Sequence, residues 1–172
     1  MDPNYISVEI DSIRVSLVSP HRIVVLKDKQ DRFLPIWVGP FEADAIRVAL
    51  EGNQVARPLT HDLFKNLINT VGGKAIKIVI NDLREDTFFA SIQFEVDGRP
   101  IELDARPSDA IALAIRVAGT EILVDAKVMK QASIRPSQSI ESTPEAEDKL
   151  DAFADLIEDL DLDGLDKPPK EN

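Results

Sequence analysis

Hydrophobic and polar residues alternate along much of the chain, and this period of two predicts β-strands. The first predicted strand covers residues 6–18, with a bulge or break near Asp11-Ser12. Asp97-Gly98 separates two later alternating segments and is a strong signal for a β-hairpin. The other strands are predicted at residues 22–27, 33–38, 76–80, 87–96, 101–104 and 122–124.

Apolar residues at three- and four-residue steps predict four helices between and after these strands. They are expected at about residues 41–50, from Thr60 as N-cap to Gly72, at 107–117 and at 127–131. The second helix should bury one apolar face, made of Leu63, Phe64, Leu67, Ile68 and Val71. Together the elements predict an α+β fold, in which a largely antiparallel or mixed sheet carries helices mainly on one side.

The composition changes after Ser133, which divides the chain into a domain at residues 1–133 and an appendage at residues 134–172. Pro, Ser and Thr in the first part of the appendage predict a linker. A short amphipathic helix is predicted further on from Leu150, Phe153, Ile157 and Leu160. We expect a flexible acidic tail, which either aids solubility or uses residues 144–160 to contact a protein partner or to mimic a nucleic-acid backbone.

The formal net charge of −11 comes mostly from this tail. Residues 141–172 carry twelve Asp or Glu and three Lys, a net of −9, which leaves 19 acids and 17 bases, a net of −2, in residues 1–140. The domain is therefore nearly neutral. It lacks the strong basic bias of proteins that bind nucleic acid mainly through charge.

The chain has no Cys, which excludes disulfides, thiolate nucleophiles and zinc sites built on sulfur. No apolar segment approaches the length of about 18 residues that spans a bilayer, and the first residues form no signal region. We therefore expect a cytoplasmic protein without a membrane segment. Its many apolar strand positions predict a sheet edge that pairs with a second copy, and hence a homo-oligomer.

Candidate chemistry is densest at a strand-to-helix junction, where Glu102, Asp104, Arg106 and Asp109 fall within eight residues. Glu102 and Asp104 would share one strand face about 7 Å apart, and Pro107 would begin the helix that carries Asp109. The three acids could hold Mg²⁺ or Mn²⁺, while Arg106 could bind a phosphate. Alternatively, the strand acids pair with basic residues on a neighbouring strand, and Asp109 only stabilises the helix start.

Three motifs in the sequence resemble the bifunctional nuclease domain family over about residues 5–133. They are Leu34-Pro35-Ile36-Trp37-Val38-Gly39, Arg57-Pro58-Leu59-Thr60-His61-Asp62-Leu63 and Glu102-Leu103-Asp104-Ala105-Arg106-Pro107-Ser108-Asp109-Ala110-Ile111. The resemblance implies cleavage of both DNA and RNA. It brings no assigned catalytic residues, so the site is inferred from its chemistry.

His61 is a second candidate, as a general base or a phosphate donor, and Arg57 is a candidate substrate contact. Alternatively, His61 covers a neighbouring strand and Arg57 forms a surface salt bridge. Glu42 and Asp44 would add metal ligands if their helix start folds against the same strand ends. Two aromatic residues are too isolated to stack bases and are expected to pack in the core, namely Trp37 and Tyr5.

These observations predict a divalent-metal-assisted nuclease that acts on DNA and RNA with little sequence specificity. The predicted catalytic residues are Asp104, Asp109, Arg106 and His61. The predicted metal ligands are Glu102, Asp104 and Asp109, and the predicted substrate contacts are Arg57 and Arg106. Two other functions fit the same residues: a non-catalytic regulatory module that contacts its partner through the acidic tail, and a phosphatase or nucleotide hydrolase.

Overall fold

The computed structural model of the protein describes residues 4–15, 21–52 and 55–135. The predicted tail helix at residues 144–160 lies outside the described residues, and the domain boundary at residue 133 stays a prediction. Within the described ranges, no helix is long and apolar enough to cross a lipid bilayer. The cytoplasmic location and the homo-oligomer also stay predictions.

Seven strands form one sheet in the described part of the chain. They are β1 (Tyr5–Val15), β2 (Arg22–Asp28), β3 (Phe33–Val38), β4 (Lys74–Arg84), β5 (Thr87–Val96), β6 (Arg99–Ala105) and β7 (Glu121–Asp125). In space they follow the order β3-β2-β1-β7-β4-β5-β6, and the β4–β7 pair is parallel while the other neighbours are antiparallel. The predicted mixed, largely antiparallel sheet is confirmed, and the predicted bulge lies between Ile10 and Ser12.

Four helices accompany this sheet within the described residues. They are α1 (Pro40–Leu50), α2 (Thr60–Thr70), α3 (Pro107–Arg116) and α4 (Ala126–Ala132). Alternate strand residues such as Val24, Leu26, Ile78 and Ile80 join residues of all four helices in one hydrophobic core. α3 packs against α1, α2 and the middle of the sheet. The predicted α+β fold with helices mainly on one side is therefore confirmed.

Helix α2 buries a narrower face than the sequence predicts. Ile68 is buried and Phe64 is half-buried against the core. Leu63, Leu67 and Val71, in contrast, are 63%, 55% and 50% exposed. The difference arises because α2 packs mainly against α3 and makes a smaller contact with β4, so only one edge of its apolar face is covered.

Asp28 is a buried carboxylate at the turn between β2 and β3, with 2% of its side chain exposed. Its Oδ1 accepts hydrogen bonds from the backbone N–H groups of Gln30 at 2.8 Å and Arg32 at 2.9 Å. Its Oδ2 accepts a hydrogen bond from Nε of Arg32 at 2.7 Å. Burial raises the pKa of Asp28, but the hydrogen bonds outweigh burial, and the pKa is lowered below its ordinary value.

We expect Asp28→Ala to lower the free energy of unfolding by about 3 kcal/mol at neutral pH, because it leaves two backbone N–H groups and a guanidinium without an acceptor. Urea denaturation measures this loss. Since the pKa of Asp28 is lower in the folded chain, its stabilisation is complete above the unfolded value, near 3.8, and is lost as pH falls through the folded value. The difference between variant and wild type should therefore shrink in acid.

The control for this prediction is Asp31→Asn, in the same turn. Asp31 is 76% exposed and pairs with Lys27 at 2.8 Å, so the change should leave the free energy of unfolding nearly unchanged. Asn also tolerates the left-handed backbone of this position, where φ is 56°. Equal losses in the two variants, or a loss for Asp28→Ala that does not depend on pH, would contradict the account.

Candidate functional site

Three helices begin close together at one end of the sheet. α1 starts at Pro40 and α3 starts at Pro107, and each Pro presets the φ of the first helical residue. α2 starts at Thr60 with Leu59 as its N-cap, so the predicted N-cap Thr60 is wrong by one residue. The first N–H groups of each helix lack helical partners, and together they give this end of the fold a positive local field.

Arg106, the N-cap of α3, connects side chains from these helix starts. Its Nη1 donates a hydrogen bond to Oε1 of Glu42 at 2.9 Å, and its Nε donates one to Oδ2 of Asp109 at 2.8 Å. The other carboxylate oxygen of Asp109 lies 3.1 Å from Nε2 of His61. Glu42, Arg106, Asp109 and His61 therefore form one continuous set, which we call the Arg106 cluster. It unites three of the predicted catalytic residues with one of the additional acids.

The side chains of the Arg106 cluster differ in solvent exposure, which falls from Arg106 through Asp109 to His61. Arg106 is 66% exposed in its side chain, Asp109 is 34% exposed and His61 is 14% exposed. The hydrogen bond to Asp109, followed by the charge of Asp109 and the contacts with Glu42, raises the pKa of Arg106 above its ordinary value. A permanently charged guanidinium thus faces solvent beside an oriented histidine, an arrangement suited to binding a phosphate next to a proton acceptor.

A second ion pair, which the sequence did not indicate, holds the same helices together. Nε of Arg116 in α3 donates a hydrogen bond to Oδ1 of Asp62 in α2 at 2.8 Å. The other guanidinium nitrogens donate to the carbonyl oxygens of Ala112 at 2.7 Å and Ala45 at 3.0 Å. Only 6% of the Arg116 side chain is exposed. Because it contacts α1, α2 and α3, Arg116 fixes how α2 presents His61 to the cluster.

Asp62 has a structural role at the start of α2. Its Oδ2 accepts a hydrogen bond from the backbone N–H of Leu59 at 2.9 Å, while Oδ1 accepts the one from Arg116. Burial raises the pKa of Asp62, but the hydrogen bonds from Leu59 and Arg116 outweigh it, and the pKa is lowered. The sequence carried only a partial signal, because Arg116 lies seven residues, about two helical turns, after Asp109 and so on the same face of α3, but this spacing does not identify Asp62 as its partner.

The two predicted strand acids lie away from the Arg106 cluster. Asp104 pairs in register with Ser91, and Glu102 pairs with Gln93, whose amide donates a hydrogen bond to it at 3.3 Å. Because side chains alternate along a strand, both acids lie on the sheet face opposite the core residue Ile92, whereas the helix layer lies on the core side. The expected convergence of these acids with Asp109 is thus absent. In residues 4–15, 21–52 and 55–135, no three Asp, Glu or His side chains could hold a metal together.

The remaining predicted residues also lie outside the cluster. Arg57 is exposed before α2, and no ion pair of its side chain occurs within the described ranges. Asp44 is exposed on α1 and lies 3.5 Å from Nη2 of Arg47. The roles predicted for Arg57, Glu102 and Asp104 stay predictions.

A cavity of about 300 Å³ adjoins the cluster, between the end of β3, the β4–β5 turn and the start of α3. Its lining includes Trp37, Glu42, Asp86 and Arg106. The expectation that Trp37 packs in the core is wrong, because 61% of it is exposed. Its neighbours on β3 are buried in the core, so Trp37 must face the other way. Tyr5 is half-buried, with the Lys77 ammonium 5.6 Å from its ring.

Comparisons with known proteins agree with the motifs. The sequence profile of the bifunctional nuclease domain matches residues 24–137. Two uncharacterized proteins of Mycobacterium tuberculosis are each 38% identical over 160 residues, which is 91% of this chain and 95% of theirs. Bifunctional nuclease 2 of Arabidopsis thaliana is 28% identical over 103 residues, 57% of this chain and 31% of the plant protein. Bifunctional nuclease 1 of Oryza sativa subsp. japonica is 28% identical over 109 residues, 60% of this chain and 33% of the rice protein.

The matched region contains the residues that build the site. Residues 24–137 include the Arg106 cluster, Trp37 and the ion pair of Arg116 with Asp62. The three motifs that are far apart in the sequence therefore meet around one cavity and one cluster within the matched domain. From the extent of this match and the similarity to the mycobacterial proteins over nearly their whole length, the chain belongs to the bifunctional nuclease domain family.

Proposed function

We propose that the protein is a nuclease that hydrolyses phosphodiester bonds of DNA and RNA at the Arg106 cluster, with a divalent metal ion assisting. The observation that carries the proposal is the exposed guanidinium of Arg106, held at 2.8 Å from the same Asp109 that contacts His61. Membership of the family and the names of the plant relatives support hydrolysis of nucleic acid. Low sequence specificity is expected because Arg106 would contact the phosphate, and phosphate contacts carry no sequence information.

Arg106 is the phosphate-binding group in this proposal. A guanidinium donates charge-assisted hydrogen bonds to phosphate oxygens, and the charge that develops there in the transition state strengthens them. Glu42 and Asp109 accept hydrogen bonds from Nη1 and Nε of Arg106 and so fix the plane of the group before substrate binds, and the two N–H groups of Nη2 are the donors proposed for the phosphate. Two thirds of the side chain remains exposed, which leaves room for the phosphate.

His61 is the proton acceptor for the attacking water. Asp109 contacts Nε2 of His61 and can fix the tautomer in which Nε2 carries the proton. Nδ1 then has its lone pair available, and no protein partner for it occurs within the described ranges. In the reaction, Nδ1 takes a proton from water as the oxygen attacks phosphorus, the bond to the leaving oxygen breaks, and the leaving oxygen takes a proton from solvent water. In this arrangement, Asp109 orients the imidazole ring and His61 acts as the general base.

In this proposal, Glu42 and Asp109 would hold a magnesium or manganese ion through carboxylate lone pairs that their contacts with Arg106 and His61 leave unused. Mg²⁺ is commonly held by one or two carboxylates together with phosphate oxygens of the substrate, so a complete set of protein ligands is not required. When bound, such an ion neutralises charge on the phosphate. Glu102 and Asp104, exposed side by side on β6, are the competing ligand pair that the sequence predicts.

The proposal is tested by incubating the purified full-length protein with single-stranded DNA, RNA and duplex DNA, each with Mg²⁺, Mn²⁺ or EDTA. We expect cleavage of DNA and RNA with either metal and little with EDTA. Absence of cleavage of every substrate by the folded protein would refute the nuclease and favour a binding module. Release of phosphate from mononucleotides without cleavage of polymers would instead indicate a phosphatase.

Two variants decide which acids serve the reaction. We expect Asp109→Asn to lower kcat at least about a hundredfold, because it removes the charge that orients both His61 and Arg106. Glu102→Gln combined with Asp104→Asn should keep kcat within about threefold of wild type, since both acids lie on the other face of the sheet. Initial rates at saturating substrate and several Mg²⁺ concentrations measure both effects. A larger loss of kcat in the double variant than in Asp109→Asn would indicate that the metal binds at Glu102 and Asp104 on β6.

A further inference from the structure

Trp37 is exposed where the hydrophobic pattern of β3 would bury it. It is the only Trp in the chain, and 61% of it is exposed, although Ile36 and Val38 on either side are at most 7% exposed. β3 is an edge strand, with β2 as its single neighbour in the sheet. A large aromatic side chain left in solvent on an edge strand adds no burial to the fold. Trp37 also lines a cavity, so its ring is available to contact a ligand there.

The cavity beside Trp37 has the size and the lining of a site for one nucleotide unit. Its volume of about 300 Å³ lies at the lower end of the range for small-molecule pockets. Arg106 lines it and can hold a phosphate at its mouth. Glu42 and Asp86 also line it, and their negative charges would repel a second phosphate. The part of a nucleotide that fits beside Trp37 is consequently the uncharged base.

We propose that Trp37 stacks on one base of single-stranded nucleic acid while Arg106 holds the adjacent phosphate. This proposal rests on the proposed function and narrows its substrate to strands whose bases are unpaired. Every base has a π-face that can stack on an indole, so the contact tolerates all sequences and both sugars. It also supplies affinity that charge alone does not, because residues 1–140 carry a net charge of only −2.

The same contact disfavours duplexes. In a duplex, each base is stacked on its neighbours and paired, so a base reaches Trp37 only after the cost of unstacking and unpairing, a few kcal/mol, has been met. A duplex also presents two phosphate strands to a surface that offers Arg106 together with two carboxylates. We therefore expect duplex DNA to bind at least about tenfold more weakly than a single strand.

Because the chain has a single Trp, its fluorescence tests the proposal directly. The full-length protein is titrated with a short single-stranded oligothymidylate whose phosphorothioate linkages resist hydrolysis, and with a hairpin duplex of similar charge. We expect the single strand to quench the Trp37 emission strongly and the duplex to quench it weakly. Fluorescence anisotropy of a labelled oligothymidylate then gives the dissociation constants of variants that have no Trp.

Trp37→Ala should weaken binding roughly 10- to 100-fold, the loss expected for one base–aromatic stack, and Trp37→Phe should stay within about threefold of wild type. The matched control is Phe41→Ala. Phe41 is another exposed aromatic, at 84%, but it is not among the residues that line the cavity. Thermal melting of each variant checks folding, which an exposed side chain should hardly affect.

Equal affinity of wild type and Trp37→Ala, equal affinity for strand and duplex, or no binding of the single strand at all would each overturn the proposal. Binding is measured without hydrolysis, so the two proposals fail separately. Trp37-dependent binding by a protein that cleaves nothing would refute the nuclease and leave the stacking site standing. Cleavage of single strands with kcat and KM unaffected by Trp37→Ala would support the nuclease and refute the stacking site.

Discussion

Arg106→Ala is expected to lower kcat for single-stranded DNA about 100- to 1,000-fold, the usual loss when one donor to a developing negative charge is removed. The expectation follows from the position of the guanidinium, which is exposed, permanently charged and held in plane by Glu42 and Asp109. Because 66% of the side chain is exposed, the free energy of unfolding should fall by less than about 1 kcal/mol. Activity and stability are therefore expected to separate clearly.

Arg106→Lys distinguishes a planar phosphate contact from a simple charge. Lys keeps the positive charge but lacks the planar group that Glu42 and Asp109 hold in one orientation, so we expect it to recover less than about a tenth of the lost kcat. Arg47→Ala is the matched control, because Arg47 on α1 also contacts two acids, Glu51 at 2.8 Å and Asp44 at 3.5 Å. Its removal should leave kcat unchanged. Equal losses for Arg47→Ala and Arg106→Ala would exclude Arg106 as the phosphate contact.

The sequence predicted the strands well because their signals are local. Alternation of apolar and polar residues is a property of neighbouring positions, and Asp97-Gly98 adopts the left-handed turn that its composition predicts, with φ of 51° and 76°. Which strand lies at an edge is a property of the whole sheet. The prediction that Trp37 packs in the core is wrong because its strand has a single neighbour and its side chain lies on the face opposite the core residues Ile36 and Val38.

Only the part of the candidate site that depends on neighbouring residues was predicted from the sequence. Arg106 and Asp109 are three residues apart, so their contact follows from the helix start that Pro107 encodes. The partners of this pair lie far away in the chain, since His61 precedes Asp109 by 48 residues and Glu42 precedes Arg106 by 64. Nothing in a single sequence reports such contacts, which depend on how three helices pack against one another.

The prediction that Glu102, Asp104 and Asp109 converge is wrong, although these residues are close in sequence at the junction between β6 and α3. Glu102 and Asp104 lie within seven residues of Asp109, yet their side chains lie on the far face of β6 while α3 returns over the core face. Residues on the two sides of such a junction share a surface only when the strand residue faces the helix layer. Burial of Ile92 on that layer shows that the strand acids face away from it.

Arg116→Met is expected to lower the free energy of unfolding by about 3 kcal/mol, because it removes one partner of a mostly buried ion pair and the guanidinium hydrogen bonds to the carbonyl oxygens of Ala112 and Ala45. Met preserves most of the volume, so the loss reports hydrogen bonds and charge instead of a cavity. Asp62→Asn, which retains an acceptor for the guanidinium, should cost only about 1 kcal/mol. Urea denaturation at neutral pH gives both values.

Arg116→Met should also lower kcat by about 10- to 100-fold in protein that is still folded, because small displacements of a catalytic group are costly and α2 loses the contact that sets the position of His61. Asp28→Ala separates this effect from instability. It should destabilise the chain by a similar amount, but it lies at the far end of β2, about 13 Å along the strand from Val24, which pairs with the cavity residue Ile36. With both variants kept folded at low temperature, Asp28→Ala should retain the wild-type kcat. If both lose activity alike, Arg116 only stabilises the fold and does not position His61.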